Sequence, residues 1–227
     1  MLAQLEPNLV ITQELCEVCA VSSGLLHRTL AEVHSSAKIL ALEPMSLEGV
    51  FGTIDQVGHA TGTEQRAKVV IEELRQRLNT LAQSVREHAR GNPKTFVLEW
   101  TDPPFACGHW TPELVEIAGG APVLCFPKQA SRTVAWDEIA AADPDCIIVA
   151  PCGLGIEATR AAIGELDASN EGWRRLRESR SRRIYAMDGN QFNNRPGPRL
   201  VETAELFAAA IHAFDSPAAD FFQRLEF

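Results

Sequence analysis

Residues 63–90 read TEQRAKVVIEELRQRLNTLAQSVREHAR, a run without Pro or Gly in which Ala67, Ile71, Leu74, Leu78, Leu81 and Val85 fall at alternating steps of four and three. Those steps place all six on one stripe of an α-helix. A single helix over this run extends about 40 Å, longer than a crossover inside a small lobe needs, so the run is expected to be a strut between two lobes. A coiled-coil arm is the alternative, supported by the heptad-like steps and weakened by Gln76, Asn79 and Thr80 on the same run.

Upstream, the turn signal Glu6-Pro7-Asn8 precedes a short apolar strand at Leu9–Thr12. Ser22–His34 carries Leu25, Leu26, Leu30 and Val33 at helical spacing, and Lys38–Leu42 reads as a second strand. Ser46 then suits the N-cap of a helix bearing Leu47, Val50, Ile54 and Val57 that ends near Gly58 or Gly62. Downstream of Gly91-Asn92-Pro93, strands at Thr95–Trp100, Pro122–Cys125, Asp145–Ala150 and Arg183–Met187 alternate with helices at Thr111–Ala118, Trp136–Ala142 and Ile156–Leu166. Such alternation implies an α/β fold with parallel sheets and helices on both faces. Pro198 opens a last helix to about Ala213. The expected organisation is a partial N-terminal lobe over residues 1–62, a bridging helix over 63–91, a C-terminal lobe over 92–214 and a loosely held tail over 215–227.

Composition narrows the function classes. The 227 residues are 45% apolar and 22% charged with a formal net charge of −9, which describes a globular chain and excludes collagen-like and disordered classes. The acidic excess repels a phosphate backbone, and the one basic cluster, Arg174–Arg183, is interrupted by Glu178 and several Ser, so nucleic acid is not expected as a partner. No apolar run approaches the roughly 18 residues needed to span a bilayer. The opening MLAQLEP lacks the basic and apolar segments of a secretory signal, so the chain as written is expected in the cytoplasm. Six Cys at positions 16, 19, 107, 125, 146 and 152 are too unevenly spaced for a disulfide framework, and Cys125 and Cys146 sit among apolar neighbours typical of buried thiols.

In an open parallel sheet, ligands sit beyond the carboxyl ends of the strands. Four post-strand segments are unusual here. Gln13–Cys19 holds Cys16 and Cys19 in a C-x-x-C, a spacing suited to a redox pair or half of a zinc site, with Cys107 and His109 as the only further candidates to complete one. Trp100–Trp110 puts Trp100, Asp102, Pro103, Phe105, His109 and Trp110 on one segment, a rigid aromatic wall suited to a large, flat, partly apolar ligand. After Cys152, Gly153-Leu-Gly155-Ile-Glu-Ala158 matches the G-x-G-x-x-A of a dinucleotide site, but Pro151 and Cys152 separate it from its strand and no acidic residue ends a strand about 20 positions later. Asp188–Arg199 is dense in side-chain amides, with Asn190, Asn193, Phe192 and Arg195 placed to read a ligand's peripheral amides or carboxylates. No G-x-S-x-G, H-E-x-x-H or phosphate-loop motif occurs, so neither catalytic residues nor a metal site are assigned.

Several segments together resemble the substrate-binding proteins of iron-chelate and vitamin B12 ABC importers. Leu5-Glu-Pro-Asn-Leu-Val-Ile-Thr12 looks like that family's first-lobe strand. Asp102-Pro-Pro-Phe105, followed by Gly108 and Glu113-Leu-Val-Glu-Ile-Ala-Gly-Gly120, is similar to its second-lobe opening. Trp136-Asp-Glu-Ile with Asp143-Pro-Asp-Cys-Ile-Ile-Val149, and Gly189 through Arg199, resemble the next unit and the last cleft loop. The likeness covers about residues 3–213, and Leu15-Cys-Glu-Val-Cys-Ala-Val21 with Glu99-Trp-Thr-Asp-Pro-Pro104 is most similar to the cobalamin-binding branch.

The resemblance implies two Rossmann-like lobes joined by the long helix, the class III periplasmic binding protein arrangement, with a corrinoid held between them as bound ligand and no enzymatic activity. It also implies docking onto an ABC permease and ATPase complex, with Glu116 at the matching second-lobe position for pairing with transporter Arg residues. Cys16, Cys19 or His109 would face cobalt or the corrin edge. The family's leader and first strand, turn and helix have no counterpart before Leu9, so the first lobe reads as truncated. Three expectations follow from that shortening: an extracytoplasmic location if the chain is a shortened family member, exposed sheet edge, and self-association through the reduced lobe. On the same fold the alternative ligands are haem or an iron-siderophore chelate. Outside this class stand a dinucleotide-dependent oxidoreductase built on Gly153 and Gly155, and a C-x-x-C thiol or zinc protein.

Overall fold

Two α/β units make up the chain, Met1–Pro44 with Glu48–Ile71, and Met45–Leu47 with Glu72–Phe227. The computed structural model describes residues 2–13, 23–32, 36–89, 91–178, 182–213 and 220–226. In the first unit, α1 (Leu2–Leu5) leads into β1 (Leu9–Thr12), α2 (Ser23–Glu32) crosses over, and β2 (Lys38–Ala41) pairs parallel to β1 with Leu9 opposite Lys38. This is the strand, helix, strand unit that the apolar spacing predicts. Next come α3 (Leu47–Thr61) and α4 (Glu64–His88), broken at Gly62, whose φ of 68° is a left-handed value that glycine adopts without steric cost. The predicted long helix is thus present as α4, and the division between the units falls within it.

The second unit is built on β3 (Lys94–Thr101), in which Phe96, Val97 and Leu98 are all at most 1% exposed. It continues through β4 (Pro104–Ala106), α5 (Thr111–Ile117), β5 (Ala121–Pro122), β6 (Arg132–Thr133), α6 (Trp136–Ala142) and β7 (Cys146–Val149). It ends with α7 (Ile156–Ser169), α8 (Glu171–Arg177), β8 (Arg183–Met187), α9 (Leu200–His212) and β9 (Phe222–Arg224). The strand order is β6-β4-β3-β7-β8-β9, with β5 on the first half of β3. The strands β3, β7 and β8 run parallel, with Val97 opposite Ile148 and Ile148 opposite Tyr185. The side-chain period of two then separates the faces. Phe96, Leu98, Ile147, Val149, Ile184 and Ala186 join Ile139, Ile163, Leu166, Trp173 and Leu176 of the helices in one core.

The sheet is mixed where the sequence predicted it parallel. The chain reverses at Asp102–Pro103, whose peptide bond is cis, so that β4 returns antiparallel along β3 with Thr101 opposite Pro104. Two adjacent prolines read as a loop wall in the sequence, yet Pro104 is the first residue of β4, a strand position where a missing N–H is tolerated. The tail is likewise not loose over residues 220–226, because Phe222–Arg224 pairs antiparallel with β8 and the Phe222 ring stacks on Tyr185 at 4.8 Å. The residues read as a basic cluster include α8, where Trp173 and Leu176 are buried between flanking arginines. Trp173 donates from Nε1 to Asp167 Oδ1 at 2.6 Å and meets Trp136 edge-on at 6.0 Å.

Because Trp173 is fully buried, Trp173→Ala removes the largest side chain of this core. The expected cost is about 3–5 kcal/mol, read as a lower denaturant midpoint at unchanged slope.

Candidate functional site

The carboxyl ends of β3, β7 and β8 deliver three loops to one edge of the second unit, as the parallel order requires. Two close approaches bring them together. Gly108 lies under residues 129–131, where an added Cβ would stand 2.4 Å from Ser131 N and 2.5 Å from Gln129 O. Gly189 lies against the end of β7, where a Cβ would stand 2.3 Å from Pro151 O. No larger residue fits either place without moving backbone.

Between the loops sits Glu99, the penultimate polar residue of β3, which the sequence reading did not single out. Its Oε2 accepts from Ser131 Oγ at 2.5 Å and its Oε1 from Asn193 Nδ2 at 3.4 Å, with the Thr111 hydroxyl 3.5 Å away and the Gly108 N–H also donating. These donors favour the ionised form, but burial outweighs them and pushes the carboxyl up to about 7. Asn193, fully buried, extends the network. Its carbonyl oxygen accepts from Trp110 Nε1 at 3.0 Å, its Oδ1 accepts from Thr111 Oγ1 at 3.2 Å, and the neighbouring Asn194 donates to Ala150 O at 2.8 Å. Thus the loop after β8 is tied to the loops after β3 and β7 by side-chain amides. A polar lattice of this kind is stable only when nearly every member is satisfied.

The candidates from the sequence divide by exposure. Trp100 stays 40% exposed while its Nε1 donates to Asp102 O at 3.0 Å, so a large apolar face is held in place at the rim of the central strand. Asp102 and Pro103 are exposed beside it, and Phe105 is half-buried on β4. His109 is half-buried with a φ of 54°, and burial lowers its pKa, which favours the neutral ring. Trp110 and Phe192 are buried at 7% and 9% exposure and stand behind the rim. Cys152 and Gly153 are exposed at the end of β7, with Gly153 at a φ of 77°. Asn190 is half-buried and accepts from the exposed Arg195 at 3.1 Å, while Arg199 reaches Gln191 Oε1 at 3.1 Å. Glu116 is exposed on α5, whereas Glu113 of the same helix accepts from Leu47 N at 2.8 Å. Gln13 follows β1 in the first unit and is half-buried; Cys16 and Cys19 lie outside the described residues.

Two exposed rings escaped the sequence reading. Phe126, 55% exposed, follows β5, and Phe221, 38% exposed, accepts from Asp188 N through its carbonyl and packs its ring 5.7 Å from Phe192. Phe126 lies just past the strand expected at Pro122–Cys125, and Phe221 belonged to the supposed loose tail.

The glycines after β7 do not offer a good anion cradle. Gly155 caps α7, but the Asp188 carboxylate lies 3.6 Å from where its Cβ would be, and that carboxylate accepts from Gln191 N and Nε2, each at 2.8 Å. A pyrophosphate there would meet a negative charge already beside the helix N-terminus. Among the described residues no cluster of three His, Cys, Asp or Glu could hold a metal ion, and no helix is long and apolar enough to cross a membrane.

Comparison with known proteins follows the fold. The family model described as periplasmic binding protein matches residues 1–190. No curated protein matches the chain. An ABC transporter substrate-binding protein from Listeria monocytogenes superimposes with a TM-score of 0.75 at 17% identity, over 94% of this chain and 80% of that one. A periplasmic heme binding protein from Pseudomonas aeruginosa gives 0.74 at 19% identity, over 99% and 79%. The periplasmic vitamin B12 binding protein of Vibrio cholerae gives 0.62 at 16% identity, over 92% and 75%. At these identities the likeness establishes the fold, that of class III periplasmic binding proteins.

Glu99 gives the second unit a pH signature. With a folded pKa of about 7 against an ordinary 4.5, the folded state holds more protons than the unfolded one between those values. Stability contributed by the protonated carboxyl is therefore full below about 4.5 and declines as pH rises toward 7. Glu99→Gln is expected to flatten that decline, as measured by unfolding midpoints at a series of pH values.

Proposed function

The chain belongs to the periplasmic binding protein family, and on that premise we propose that it is the substrate-binding component of an ABC importer that takes a corrinoid, such as cobalamin. The proposed ligand lies against the carboxyl ends of β3, β7 and β8. The observation that carries this is Trp100: an indole 40% exposed, pinned by its own Nε1, at the end of the central strand. A fixed aromatic face left open to water fits a broad apolar ring system. Phe126 and Phe221 add exposed rings, and the uncharged amides of Asn190 and Gln191 suit the amide-bearing rim of a corrin. Trp110 and Phe192 support the rim from beneath. His109 and Cys152 are candidates to approach the metal.

The role proposed is binding and delivery, without catalysis, outside the cytoplasm. Glu116, exposed on α5, is the proposed docking charge toward a cationic permease surface. Haem is the second reading. The exposed Arg195 and Arg199 beside the amide loop suit propionates, and the Pseudomonas neighbour is a haem binder by name.

The test is retention of colour. Purified chain mixed with cyanocobalamin or with haemin and passed through a desalting column is expected to carry corrin absorbance in the protein fraction. Retention of haem alone would replace the corrinoid with the second reading, and a colourless fraction with both would overturn the macrocycle proposal. For whichever ligand is retained, Trp100→Ala is expected to weaken binding by about tenfold or more, roughly 1.4 kcal/mol, while the unfolding midpoint stays near that of the parent.

A further inference from the structure

The edge of β3 carries two segments that run toward each other. From the start of β3, β5 follows it in parallel, and past β5 the Val123 N–H bonds Thr95 O at 3.0 Å. From the far end, β4 returns antiparallel, and past β4 the Cys107 N–H bonds Val97 O at 3.2 Å. The carbonyls that anchor them are two residues apart on one strand and point to the same edge. The chain bends at Leu124, whose φ is 62°, and Cys125, two residues beyond Val123, comes beside Cys107, both as free thiols. Their thiols are within hydrogen-bonding reach of each other, and the two residues are 2% and 6% exposed, Cys107 and Cys125 respectively.

We infer that Cys107 and Cys125 form a disulfide bond when the chain folds in the presence of a disulfide oxidant. The two thiols lose two electrons and two protons and a sulfur–sulfur bond forms between them. A small-molecule disulfide accepts the electrons and protons and leaves as two thiols. Nothing in the proposed ligand-binding role is needed for this step. Burial pushes the Cys107 thiol well above its ordinary value, so the thiolate that exchange requires is scarce once the fold has closed. Oxidation thus belongs to the folding chain, before the pair is sealed. The bond would fasten the Cys107–Trp110 segment to the loop that carries Gln129, whose carbonyl accepts from His109 N at 2.6 Å, and Ser131, which donates to Glu99. A covalent tie replaces hydrogen bonds alone along one wall of the candidate site, which also limits the unfolded chain.

The sequence makes the test direct. No Lys or Arg lies between Thr95 and Pro127, so trypsin releases residues 95–128 as one peptide containing these two Cys and no other. The reduced, denatured full-length chain is refolded in a buffer of reduced and oxidised glutathione, and the monomeric folded fraction is denatured, alkylated and digested. The expected result is peptide 95–128 without alkyl groups, lighter than its reduced form by the two hydrogens lost. In Cys125→Ser, refolded in the same way, Cys107 is expected to be alkylated and joined to no other cysteine. Peptide 95–128 alkylated at both cysteines in the folded wild type, carrying glutathione, or bridged to a peptide containing Cys16, Cys19, Cys146 or Cys152 would overturn the inference.

Discussion

A buried carboxylate must be surrounded by donors or by protons, and in the second unit Glu99 has both. Ser131, Asn193 and the Gly108 amide converge on it from three separate segments, and burial still holds its pKa near 7. An unsatisfied charge at this depth costs several kcal/mol, so the segments that satisfy it are not free to drift independently. The position follows from the strand: Glu99 comes directly after the fully buried Leu98, where the register of β3 against β4 shifts between Leu98 and Trp100. Where an apolar residue would have ended the core, an acid gathers loops.

That constraint needs close backbone contact, which Gly108 and Gly189 permit at the two ends of the network. The lattice runs on from Asn193 to Trp110 and Thr111, and from Asn194 to the end of β7. Rim residues consequently rest on a fixed base. Trp100 uses its one polar atom to hold its own hairpin, which leaves the ring face as unspent apolar surface. Large apolar faces held rigid in water are unfavourable unless something covers them, and a flat ligand does so with little further loss of entropy.

Much of this was legible in the residues. The helix at Glu64–His88, the βαβ unit at Leu9–Ala41 and the parallel trio β3, β7 and β8 follow from apolar spacing, because each buries a stripe or face that repeats along the chain. The hairpin at Asp102–Pro103, the short β6 and the β9 edge were not legible, since two or three residues carry no period and Pro-Pro signals a loop more strongly than the start of a strand. In the site, the aromatic and amide loops were recognisable by composition. Their roles were not: Trp110 and Asn193 look like ligand contacts in sequence and serve the buried lattice, while Glu99 looks like an ordinary outward strand residue and is its hub. Contacts spanning 80 or more positions, such as Thr111 with Asn193, leave no local trace.

The central claim is that a flat macrocycle covers the fixed aromatic rim built over this network. A crystal structure of the chain with the macrocycle it retains tests it most directly. The account predicts the ring plane at van der Waals distance, about 3.5–4 Å, from the Trp100 indole, with the loops after β3, β7 and β8 around it. A macrocycle bound elsewhere, with the Trp100 face still bare, would contradict it.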